Sequence, residues 1–372
     1  MTPRLIAGEI YRRSTYGGKH PLAIPRVSTV VDLARALGWL DADTYITSPR
    51  ARPQALQAWH TPTYLDALQA AEAEGDVSDA VRERHALGTM SNPIFPEMFR
   101  RPATAAGAAI LAGARLAAPG MIYSPASGTH HGMPDRANGF CYLNDVVFAI
   151  LSLRASGLRR IAYIDIDAHH PDGVEHAFGA DPDVLMISTH EEGRWPRTGA
   201  LEDRGAGNVW NLPLPAGTDD SGAQAAWDML IVPRLQAFRP EAIVLQCGAD
   251  AVLEDPLSRL AWSNRAHWRI VSGLKQLTDR LLVTGGGGYN PWSVGRLWTG
   301  VWATIQGAEI PERLPTAAEA VLRDLSWPAR AMGKAPPEHW FTTLADTPRE
   351  GPVPEEVRSR LKALSERAEV WV

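Results

Sequence analysis

The chain has 372 residues, 45% hydrophobic and 21% charged, which is the composition of an ordinary globular protein with material for a large core. A formal net charge of -5 argues against non-specific nucleic-acid binding, and no block of like charges forms a polyelectrolyte tail. The two cysteines, Cys141 and Cys247, each lie in an apolar segment, which argues against a disulfide framework; the start "MTPRLIAGEIYRR" shows no apolar core of signal length and no run approaches the length of a membrane helix, so the expected address is the cytoplasm.

Residues 1–75 mix turn signals with an Ala-rich helix after "HTPTYLDALQAAEAEG". The stretch "SNPIFPEMF" (91–99) reads as a Pro-interrupted loop with exposed aromatics, a candidate pocket rim to which Glu97 would add a carboxylate. Residues 103–118 are Ala-rich and helical. From there one grammar repeats: a short apolar run, a polar or Gly-rich turn, then helical periodicity. The runs are "MIYS" (121–124), "IAYIDI" (161–166), "VLMIST" (184–189), "AIVLQC" (242–247) and "RLLVTG" (280–285), with helices at 144–157 and 221–238 between them. Such alternation predicts an α/β fold with a parallel sheet and right-handed crossovers. The Pro-rich tail (311–355) runs over the surface into the helix "PEEVRSRLKALSERAEV", whose stripe of Val357, Leu361, Leu364 and Ala368 is expected to dock on the parent domain, a subunit contact being the alternative. The whole chain, 1–372, thus reads as a single domain with the segment 311–372 packed on it.

The turns after these runs carry the chemistry: "SGTHHG", "DIDAHH", "HEEGRWPRTG", "GAD" and "GGGGYN". In open α/β sheets ligands bind outside the carboxyl ends of the strands, and the unusual polar residues recur there. With side chains alternating along a strand, Asp165, Asp167 and His169 are expected on one face at the end of theirs. Their crowding needs a positive partner. Asp167, His169 and a distant Asp250 offer one nitrogen and two oxygen ligands, the pattern of an open catalytic zinc site; a buried salt-bridge cluster is the alternative.

His130 and His131 sit in a Gly-flanked loop where both can approach one point and relay protons. Asp165 and Asp172 are spare carboxylates that can orient them. The glycines of "TGGGGYN" (284–290) lack the spacing of a phosphate loop; they allow close approach to the site and present the Tyr289 hydroxyl as an oxyanion donor. Glu175 and His176 read as a solvated helix face, and His190 as a structural hydrogen-bonder.

In order and spacing, "GTHHGMPDRANGFCYLND", "YIDIDAHHPDGVEHAF", "STHEEGRWPRTG", "CGADAVLEDPL" and "GGGGYN" resemble the zinc-dependent histone deacetylase family, which includes acetylpolyamine amidohydrolases and acetoin-utilisation proteins. The resemblance covers roughly residues 15 to 305 and implies the arginase–deacetylase fold, a mostly parallel sheet of about eight strands with helices on both faces. It further implies one Zn2+ held by Asp167, His169 and Asp250, with Asp165 paired to His130, Asp172 to His131, and Tyr289 as the deacetylase tyrosine. Gly139, Phe140, Trp195 and Leu257 match positions lining an acyl-lysine tunnel. A structural K+ would use backbone oxygens of Asp165, Asp167, His169 and Thr189 with the Ser188 hydroxyl.

There are departures. Pro171 stands where Gly is frequent, so the loop before Asp172 is expected to shift slightly; Glu254 replaces a small residue, and Trp195 a smaller aromatic, narrowing the channel. No rim carboxylate matches the one that grips peptide backbones, and Pro171 also removes the carboxylate a two-metal ureohydrolase needs. The expected activity is zinc-dependent removal of acetyl or other acyl groups from lysine side chains or similar primary amines. Acylpolyamine deacetylation, non-catalytic acyl-lysine binding and ureohydrolase chemistry are the alternatives; neither nucleic acid nor membrane is an expected partner.

Overall fold

The computed structural model describes residues 2–18, 20–328 and 330–368. Eight strands, β1 (Arg4–Ala7), β2 (Tyr45–Thr47), β3 (Gly120–Ser124), β4 (Ile161–Asp165), β5 (Val184–Glu191), β6 (Val209–Leu214), β7 (Ala242–Gln246) and β8 (Arg280–Thr284), form one sheet in the order β2-β1-β3-β8-β7-β4-β5-β6. Every pairing is parallel. The five apolar runs seen in the sequence are strands β3, β4, β5, β7 and β8; β1, β2 and β6 carry too little apolar signal to be seen there.

Both faces of the sheet are covered, so its strands are apolar throughout rather than alternating. Ile161 and Tyr163 of β4 point into a core with Ala108, Val147 and Leu282, whereas Ala162 and Ile164 point into the opposite one with Leu245, Val283 and Trp298. The first core is closed by helices Arg100–Arg115 and Asp145–Ala155, and the second by Val27–Ala36, Asn264–Leu277 and Pro291–Gln306. Residues 221–238 are not one regular helix: a π segment, Trp227–Ile231, separates two α-helical pieces.

Helix Glu355–Ser365 buries Val357, Leu361 and Leu364 against the second core, but Ala368 lies beyond it and is exposed. The aromatics of loop 91–99 are not exposed either. Phe95 and Phe99 join Tyr16, Met98, Tyr142 and Phe148 in a third cluster beneath Tyr289.

Candidate active site

The polar residues do gather at the carboxyl end of the sheet, though not by strand alternation. Strand β4 stops at Asp165, and successive side-chain caps curl the chain after it. Asp165 Oδ1 accepts the Asp167 N–H (3.0 Å), and Asp167 Oδ1 accepts the His169 N–H (3.0 Å). Asp250, in the turn after β7, accepts the Ala168 N–H through Oδ1 (2.9 Å). The glycines make room: a Cβ on Gly287 would overlap the Asp250 carboxylate, and one on Gly248 would overlap that of Asp167.

Asp167, His169 and Asp250 are buried, and their ligand-type atoms lie within 4.8 Å of one another. His169 Nδ1 faces both Asp250 Oδ2 (2.9 Å) and Asp167 Oδ1 (3.1 Å). Among the described residues no Lys or Arg forms an ion pair with either aspartate; their partners are the imidazoles of His169 and, at 3.9 Å from Asp167, His130. Arg26 approaches from a distance no sequence motif announces, but its Nη1 donates to the Gly286 carbonyl (2.6 Å). Burial and the neighbouring Asp167 push Asp250 up to about 6; Asp167 is held low by His130 and His169 against the cost of burial. Two carboxylates and an imidazole converging in a dry site form a donor set for a divalent cation, and this chemistry fits zinc.

The two tandem histidines each have a carboxylate on the far ring nitrogen. His130 Nδ1 lies 2.7 Å from Asp165 Oδ2, and His131 Nδ1 lies 2.6 Å from Asp172 Oδ1. The His131–Asp172 contact forms with Pro171 in place; this residue precedes helix Asp172–Phe178, and Asn138 also donates to Asp172 Oδ2 (2.9 Å). Their charge states diverge. Burial opposes a charge on His130, but Asp165 and Asp167 outweigh it and lift its pKa to about 9. Burial and the charge on His130 push His131 down to about 4.

Tyr289 is buried, and desolvation together with Asp250 raises its pKa well above the ordinary phenol value, so it remains an O–H donor. A cavity of about 250 Å³ leads to it, lined by Ser91, His131, Gly139, Phe140, His169, Arg194, Trp195, Leu257 and Tyr289. The four residues matched to a tunnel thus come together, while Glu97 does not reach it. Gly139 has a positive φ of 51°, and a Cβ there would run into the Trp195 ring. Phe140 is held at φ 69° by its N–H bond to Asn92 Oδ1 (3.1 Å). Glu254 pairs with Arg349 of the C-terminal segment, and its carbonyl accepts from Asn290 Nδ2 (3.2 Å).

Several contributors were invisible in the sequence. Glu175 is not on a solvated face but bonds His170 Nε2 and Asn211 Nδ2 (both 2.9 Å), whereas His176 is exposed and His190 bonds Ser188 and the Gly199 carbonyl, as expected. Arg26 lies in none of the quoted motifs, and Asp255, although inside "CGADAVLEDPL", has no role that the motif announces.

The histone deacetylase domain pattern matches residues 20–305. The chain belongs to the histone deacetylase family. Among its relatives, the acetoin utilization protein AcuC of Bacillus subtilis is 31% identical over 325 residues, covering 82% of each chain. Human histone deacetylase 1 is 31% identical over 308 residues, which are 81% of this chain and 64% of the longer protein. The crystal structure of a histone deacetylase homologue from Aquifex aeolicus has 33% identity and a TM-score of 0.91, covering 98% of this chain and 100% of the homologue; a homologue complexed with SAHA gives 0.92. The eight-stranded, all-parallel α/β domain is therefore the fold of this deacetylase family, and the buried Asp167, His169 and Asp250 group fits its zinc site.

Proposed function

We propose that this protein is a zinc-dependent deacylase acting on acylated lysine side chains or comparable primary amines. The observation that carries the reading is the pair of tandem histidines, each bonded through Nδ1 to its own carboxylate, beside the buried ligand set, with Tyr289 on the same cavity wall as His131 and His169. A pure binder of acyl-lysine has no need of two acid-oriented histidines. Zn2+ held by Asp167, His169 and Asp250 would supply Lewis acidity toward the amide carbonyl and acidify water.

The chain's own residues do the rest. His131, neutral at pH 7 and oriented by Asp172, accepts a proton from the attacking water and returns it to the leaving amine. His130, bonded to Asp165 through Nδ1, turns its other ring nitrogen toward the ligand set, 3.9 Å from Asp167 Oδ1, and steadies charge there. The Tyr289 hydroxyl donates to the oxyanion that develops on the carbonyl. Phe140, Gly139, Trp195 and Leu257 enclose the alkyl chain and exclude water.

A K+ beneath this site is part of the same proposal. Strand register sets Ser188 beside Asp165, and the Thr189 hydroxyl is buried with no partner among the described residues. Backbone oxygens of Asp165, Asp167, His169 and Thr189 with the Ser188 hydroxyl would form its oxygen cage.

The test is a panel of acetyl-lysine peptides, longer acyl-lysines and acetylpolyamines assayed with and without chelator, alongside metal analysis. Turnover of acyl-lysine that disappears with chelator and returns with Zn2+ is expected. Chelator-insensitive turnover, or binding without any turnover, would overturn the reading.

A further inference from the structure

Resting on the deacylase reading, we propose that Arg194 makes the tunnel mouth selective for acyl amines bearing a carboxylate a lysine's length from the amide. An acyl-lysine with a free α-carboxylate is the simplest such substrate. Among the described residues lining the tunnel, Arg194 is the only Lys, Arg, Asp or Glu; the rest of the rim is Ser91, Leu257 and Trp195. Nearby acids are engaged elsewhere: Glu192 with Arg360 (2.7 Å) and Glu254 with Arg349.

The guanidinium is built in rather than free to wander. Its Nε and Nη2 bond Glu191 Oε2 (3.0 Å) and Oε1 (2.7 Å), and Glu191, the last residue of β5, also accepts the Arg259 N–H (2.7 Å). Glu191 is 5% exposed and Arg194 28%, so the acid lies behind and the mouth presents the cation. Nη1 has no partner among the described residues and is available to a ligand. A carboxylate there gains a charge-assisted bond to a pre-oriented fork. The distal ammonium of an acylpolyamine meets like charge instead, and an internal acyl-lysine of a peptide brings only neutral amides.

The experiment compares Nε-acetyl-lysine with its α-carboxamide, by kcat/KM on the zinc-loaded protein and by Kd on the zinc-loaded Tyr289→Phe variant. A preference of about ten-fold or more for the carboxylate is expected, carried by KM and Kd. In Arg194→Met the ratio falls to about one, and Arg194→Lys, which keeps a cation for Glu191, retains part of it. A ratio near one in the unaltered protein, or one unchanged in Arg194→Met, overturns the proposal. A Kd preference without turnover of either compound would sink the deacylase reading while supporting carboxylate selection. Equal turnover of both does the reverse.

Discussion

The backbone N–H of Tyr289 donates to Asp255 Oδ2 at 2.7 Å, while Oδ1 of the same carboxylate takes the Leu257 N–H at 2.9 Å. One buried side chain thus fixes both the tyrosine that faces the ligand set and the leucine at the tunnel rim. Asp255→Ala leaves the buried Tyr289 N–H unpaired, at about 1–3 kcal/mol, and frees the part-buried Leu257 N–H at a smaller cost. Turnover should fall about 10–100-fold with zinc content retained, and Asp255→Asn, which keeps one acceptor oxygen, should fall less. Equal activity in Asp255→Ala and the parent, in steady-state assays, would show that the bond positions nothing.

Removing only the phenol oxygen probes the donor itself. Tyr289→Phe is expected to lower kcat by about 10²–10³-fold, the usual worth of one oxyanion donor, without loss of bound metal. Full activity in that variant ends the assignment.

Gly287 tests the ligand set without touching a ligand. A Cβ at this position overlaps the Asp250 carboxylate, so Gly287→Ala must displace a ligand oxygen. Zinc affinity should drop about ten-fold or more, read by competition with a chromophoric chelator, while far-UV circular dichroism stays that of the parent. Unchanged affinity would mean that the turn yields instead of the carboxylate.

Stability should depend on pH through histidines remote from the chemistry. Burial pushes His60 and His267 down to about 4; His60 bonds the Asn144 N–H and His267 the Gly248 carbonyl. Unfolded, each titrates near 6.5, so only the unfolded chain gains protons as pH falls from 6.5 toward 4. Their stabilisation is complete above 6.5 and is lost through that window, by about 1.4 kcal/mol per pH unit per histidine. Urea melts at pH 7, 6 and 5 should show His60→Gln losing about one proton's worth of this slope. An identical slope in variant and parent would place the acid sensitivity elsewhere.

How much of the molecule is legible in its sequence depends on where each signal resides. The central strands announce themselves because burial on both faces demands unbroken apolar runs such as Ile161–Asp165. Strand β6 hides because it is an edge strand, where Pro213 is tolerated and Asn211 can reach Glu175. The ligand residues stand out because acids and histidines are costly at the ends of apolar runs. Arg26 stays silent because its partner, the Gly286 carbonyl, is 260 positions away, and the role of Asp255, though the residue stands within a motif, is hidden because Tyr289 is 34 positions on. The turn after Asp165 is not the strand its alternation suggests, yet its side-chain caps deliver the same three residues to one point.

The link from Glu254 to Arg349 ties the C-terminal segment to the turn that carries Asp255. The tail reaches the site only from behind: the Asp255 bond to the Tyr289 N–H and the Glu254 carbonyl bond to Asn290 are both made without it. Trimming the chain before position 349 would therefore strip the Glu254 carboxylate of its cation and spare every bond that holds the tyrosine turn.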